Sequence, residues 1–151
     1  MIKVIDALRD WMIEYVKHRN MIMRNLVSVS PSEDSIRMKY SDREVMVLIR
    51  PQVSDFPAIL KSFGKGSHVT IVVLNNKNNL DSLLNQWHQL VDYRFLTVYF
   101  VNPNSVLDKK WIIAPYTHHK ICDDSSLAQG LQSMFETVEP IEAQELLGQV
   151  V

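Results

Sequence analysis

Cysteine is nearly absent from this 151-residue sequence, and the single Cys122 excludes an intramolecular disulfide framework and suits a reducing compartment. Glycine and proline are scarce as well, with four and six residues, too few for a collagen-like or low-complexity chain. No unbroken apolar run exceeds residues 45–49, whereas a bilayer-crossing helix needs about 20 apolar residues. On that ground no membrane partner is expected. The opening Met1-Ile2-Lys3-Val4-Ile5-Asp6 carries charge early and holds no leader-like apolar stretch, so a cytoplasmic location is expected.

Signatures of several chemistries are missing too. There is no Gly-x-Ser-x-Gly elbow to expose a nucleophilic serine. Gly64-Lys65-Gly66-Ser67 precedes a strand-like run and opens no helix, so it lacks the geometry of a phosphate cradle. No glycine-rich turn follows a strand, which removes the usual dinucleotide site. His118-His119-Lys120-Ile121-Cys122-Asp123-Asp124 is the densest set of possible metal ligands. A zinc site takes a second His/Cys pair, and His18, His68 and His88 are scattered singles, so no metal site is expected. The same stretch offers a cysteine and a histidine but nothing to orient the histidine as a base, so it is expected to be a strand-to-helix loop.

What is present is an apolar fraction of 46%, enough at this length for a single globular domain over residues 1–151 with a real core. The formal net charge of −1 conceals a split. Residues 1–77 carry 12 Lys+Arg against 8 Asp+Glu, while residues 78–151 carry 4 against 9. A basic half can face a polyanion.

Apolar spacing predicts an amphipathic helix over residues 2–26, with Ile5, Leu8, Met12, Tyr15, Ile22 and Met23 on its stripe. Strands are expected at 35–40 and 44–50, joined as a hairpin through Ser41-Asp42-Arg43 and closed by Pro51. A short helix follows at 55–63, a buried strand at 68–75, a helix at 80–93 and strands at 95–101 and 111–115. A last helix spans 127–138, and residues 139–151 are expected as a loosely packed tail that can add a short helix around 142–147. The order α-β-β-α-β-α-β-β-α implies an α/β fold, a mixed sheet of four to five strands flanked by helices. Trp111 and Tyr116, beside Lys109 and Lys110, are the aromatics best placed by sequence to meet a partner.

Over residues 2–101 that order resembles the restriction-endonuclease-like (PD-(D/E)xK) superfamily, whose core is a helix, three strands, a helix and a further strand. The resemblance implies Mg²⁺ held by an acid near the second strand, a Glu/Asp-x-Lys on the third and often a helix-one Glu. Mapped onto this chain, Asp42 or Glu44 matches the first acid and Glu14 the helix acid. The third-strand motif falls on Asn75-Asn76-Lys77, where Asn75 stands in place of the acid. An amide brings no negative charge to a hard cation, and the Pro-Asp pair of the family name is absent. The resemblance therefore implies a degenerate, non-enzymatic relative whose Lys39, Arg43 and Lys77 meet nucleic-acid phosphate, alone or within a nucleic-acid-processing assembly. A protein–protein scaffold or homo-oligomer docking through the first or last helix is one alternative. An active Mg²⁺-dependent nuclease drawing its missing acid from Glu44 or Asp81 is another.

Overall fold

The computed structural model describes residues 3–150, with side chains as far as residue 146. It opens with helix α1 (Val4–Met23), which buries Leu8, Met12 and Val16. The helix ends earlier than its apolar stripe suggests. Arg24 adopts the left-handed conformation (φ 53°) and donates its N–H to the Asn20 carbonyl, and the Asn20 side chain accepts from Leu26 N at 2.9 Å. The chain thereby turns into an unexpected edge strand, β1 (Leu26–Pro31). Ile22 and Met23, expected in the core, are exposed.

Strands β2 (Ser35–Tyr40) and β3 (Glu44–Ile49) form the expected hairpin. Helix α2 (Phe56–Leu60) is capped by the Asp55 carboxylate, which accepts from Ala58 N at 3.1 Å. Strand β4 (His68–Leu74) leads into α3 (Lys77–Asn85), which starts three residues before the expected point because Asn76 caps it. The expected helix 80–93 is broken at Gln86, and α4 (Trp87–Leu90) continues as a separate turn. After β5 (Phe95–Val101) and β6 (Lys110–Ile113) comes α5 (Pro115–Ile121), where a loop was expected. Proline at its start supplies a backbone angle already suited to a helix. Helix α6 (Asp124–Phe135) and α7 (Ala143–Val150) complete the chain. Within the segment expected as a tail, Ile141 and Leu146 are buried in the core beneath α1.

All six strands form one mixed sheet in the order β1-β2-β3-β4-β5-β6, one strand more than the upper expectation. β1, β2 and β3 pair antiparallel, β3, β4 and β5 pair parallel, and β6 closes antiparallel on β5. Both faces are covered, which is why β4 reads as an almost continuous apolar run. One face packs Phe56, Leu60, Leu80, Leu83, Trp87, Leu131 and Phe135 from α2, α3, α4 and α6. The other packs α1 and the α7 segment against Ile36, Met38, Val47, Val72 and Tyr99. No described helix is long and apolar enough to cross a membrane.

The face beneath α1 changes character along its strands. Toward the carboxyl ends of β4 and β5 it presents Val72, Leu74, Tyr99 and Val101, all buried. Toward the amino ends the same face presents His68, Thr70, Phe95 and Thr97. The apolar seal is lost there, and a groove opens between α1 and the sheet.

Candidate functional site

The residues selected by the nuclease resemblance do not meet. Asp42 sits in the β2–β3 turn, 2.8 Å from Arg43, and Glu44 is paired across the hairpin with Arg37 at 3.1 Å. The parallel register Met46↔Val69 puts Glu44 level with Ser67. Asn75 lies eight residues further along that strand, roughly 25 Å away at about 3.3 Å per residue. Glu14 is exposed on α1, in a separate depression with Trp11, Tyr15, His18 and Lys110. Lys77 Nζ hydrogen-bonds Gln132 at 2.8 Å and faces Asp81 at 3.6 Å, so Asp81 is already engaged. The Mg²⁺ implied by the resemblance does not fit these residues. β2 carries no carboxylate, the only one on β3 is the paired Glu44, and no described cluster of three His, Cys, Asp or Glu is arranged to hold a metal.

Asn75 is a structural joint. Its Nδ2 donates to the carbonyls of Val138 (2.9 Å) and Phe135 (3.2 Å), and its Oδ1 accepts from Trp111 Nε1 at 2.7 Å. The buried amide thus ties β4 to β6 and to the end of α6. Neighbouring amides are equally committed: Asn79 Oδ1 accepts from Val53 N, and its Nδ2 donates to the carbonyls of Pro51 and Leu74. Trp111 is buried and stacked on Phe100 with centroids 4.3 Å apart, so it is not free to meet a partner. His118 on α5 and Cys122, the residue that caps its end, lie one turn apart, with Nδ1 and Sγ at 4.0 Å.

Lys39, Arg43 and Lys77 occupy three separate places. Lys39 projects from β2 on the face opposite Ile36 and Met38, Arg43 stands at the groove, and Lys77 lies beyond the far end of β4. The structure gathers a different set. The groove beneath α1, about 360 Å³ in volume, is rimmed by Arg19 from the last turns of α1, Arg43 from the β2–β3 turn and Arg94 from the residue before β5. No carboxylate is among the described residues that line it. Arg19 has no ion pair among the described residues, and Arg43 has the exposed Asp42.

Aromatic rings are interleaved with these cations. The Arg43 guanidinium lies 4.4 Å from the Tyr40 ring centre, and that of Arg94 lies 5.4 Å from Tyr116 and 5.9 Å from Phe95. Phe95 is stacked on His68 with centroids 4.2 Å apart, yet keeps 46% of its surface exposed. On the floor, the Thr70 and Thr97 hydroxyls hydrogen-bond at 2.8 Å. Burial pushes the Tyr99 phenol up to about 12, so it stays neutral as a floor residue. The Tyr116 phenol is held below its ordinary value by its hydrogen bond to Lys120, helped by the charge of Arg94.

Sequence reading missed Arg19, Arg94, His68, Thr70 and Thr97. A usable signal existed in β4 and β5, where the face carrying Val72–Leu74 and Tyr99–Val101 begins with His68-x-Thr70 and Phe95-x-Thr97. Polar residues at matching positions of two adjacent buried strands mark a face that is not sealed. Compared with known protein families, curated proteins and solved structures, the chain matches none. Its class is therefore defined by its own features: an α/β protein with a six-stranded mixed sheet and an arginine-rimmed groove at the amino edge of the parallel strands.

Proposed function

We propose that this chain binds nucleic acid in the groove beneath α1 and does not cleave it. The observation that carries the proposal is the convergence of Arg19, Arg43 and Arg94 on one concavity with no carboxylate among its described lining residues. Guanidinium groups suit phosphate because their fork of donors matches its oxygens. A ligand with repeated phosphates also displaces counterions from several arginines at once.

The element order supports a distant kinship with the restriction-endonuclease-like domains. With β1 included, the chain begins α1-β1-β2-β3-α2-β4, a helix, three strands, a helix and a further strand. The absence of metal-binding carboxylates from β2 and β3, apart from the paired Glu44, supports a relative that holds nucleic acid without hydrolysing it. The basic groove shifts the expected contacts from Lys39 and Lys77 to Arg19 and Arg94, and keeps Arg43.

Fluorescence anisotropy with a labelled oligonucleotide tests this directly. Three phosphate contacts predict that affinity falls about 20- to 40-fold between 50 and 200 mM salt. Arg19→Ala and Arg94→Ala are each expected to weaken binding and to lower the log–log salt slope by about one unit. Both side chains are exposed, so the melting temperature should not move. Lys77→Ala, outside the groove, is expected to leave affinity unchanged. Absence of binding at low salt, or wild-type affinity in the Arg19→Ala/Arg94→Ala double variant, contradicts the proposal.

A further inference from the structure

We infer that the groove takes a single strand, seating a base against Phe95 and holding the adjoining phosphates on Arg19, Arg43 and Arg94. The inference rests on the nucleic-acid function proposed above and narrows its ligand.

Size comes first. A concavity of about 360 Å³ between a helix and a sheet matches one small ligand unit, on the scale of a nucleotide. A duplex keeps its bases stacked inside and can offer only its outer backbone to the rim, leaving the floor unused. A single strand can turn a base inward.

The floor is built for such a base. Phe95 begins β5 with one ring neighbour in His68 and about half its surface exposed, beside the Arg94 guanidinium. Every base has a flat face that stacks on an aromatic ring, and in single strands that face is available. The Thr70–Thr97 pair adds a polar edge. Two hydroxyls hydrogen-bonded to each other use one of their two protons, so one O–H and several lone pairs remain for the edge of a base or for a sugar hydroxyl. The arginines stand around this floor as phosphate contacts should. No acidic group is among the described lining residues, and the neighbouring Asp42 carboxylate is paired with Arg43.

The test compares four probes by anisotropy at one salt concentration: a 12-nucleotide single strand, the duplex of the same sequence, an abasic strand of equal length and single-stranded RNA. The single strand is expected to bind about tenfold more tightly than the abasic strand, the usual worth of stacking one base. The duplex should bind no better than the abasic strand. Phe95→Ala is expected to cost about tenfold for the base-bearing strands and nothing for the abasic strand. Phe95→Trp, which restores a stacking face, should recover the loss, and a thermal melt confirms that both variants fold. Equal affinity for duplex and single strand, or an unchanged affinity in Phe95→Ala, overturns the single-strand inference while leaving nucleic-acid binding intact. Failure of all four probes to bind overturns both. Single-stranded RNA, whose bases offer the same stacking faces, is expected to bind more tightly than the abasic strand, and RNA binding no better than that strand overturns the inference.

Discussion

Buried asparagines are costly unless every donor and acceptor finds a partner, and Asn75 finds three for its side chain. Removing the amide takes their side-chain partner from the Val138 carbonyl and the Trp111 indole N–H, while the Phe135 carbonyl keeps its bond from Val138 N. Asn75→Ala should therefore cost about 2–4 kcal/mol of stability in urea unfolding. Asn75→Asp should cost at least as much, because a carboxylate would face the carbonyls of Phe135 and Val138 that now accept from the amide. Added Mg²⁺ should not restore that stability, whereas a latent metal site would. The run Asn75-Asn76-Lys77-Asn78-Asn79 is polar, and polarity in sequence suggests a solvated loop. The partners of Asn75 are 36 to 63 residues away, and only the folded sheet brings them together. Arg19 and Arg94 were illegible for the same reason: each is an ordinary surface cation until the sheet places it beside the other.

Elements with a continuous apolar pattern were the most legible. β3, β4 and β5 follow directly from their Val/Ile-rich runs, and the first helix follows from the spacing of Leu8, Met12 and Val16. Boundaries set by single residues were not. The stripe of α1 continues through Ile22 and Met23, but the left-handed turn at Arg24 diverts the chain into β1. The stripe from Leu80 to Leu90 is likewise unbroken, yet the helix divides at Gln86. There the side chain serves the neighbouring segment: Oε1 accepts from Phe56 N at 2.8 Å, and Nε2 donates to the Ser54 carbonyl at 2.7 Å. Both bonds fix the start of α2 against the α3–α4 junction. Gln86→Ala should lower stability by about 1–2 kcal/mol, visible as a lower urea midpoint with an unchanged slope. Pro115, expected as the last residue of a strand, instead opens α5, as proline in the first turn of a helix favours.

At the scale of the whole molecule, the charge split between the two halves of the chain does not coincide with the two faces of the fold. Arg19 and Arg43 come from the basic half and Arg94 from the acidic half, and the three share one rim. The carboxyl edge of the parallel strands, where α/β proteins commonly bind ligands, is filled by Asn75, Asn76, Asn79 and Asn102, all buried. The opposite edge is left open, and the proposed binding site lies there. Amide chemical-shift mapping during titration with a short single-stranded oligonucleotide tests that placement most directly. The expected shifts cluster at Arg19, Tyr40 to Arg43, His68 to Thr70 and Arg94 to Thr97, and disappear at high salt. Shifts centred on Asn75 and Asn102, or no shifts at any residue at low salt, would contradict it.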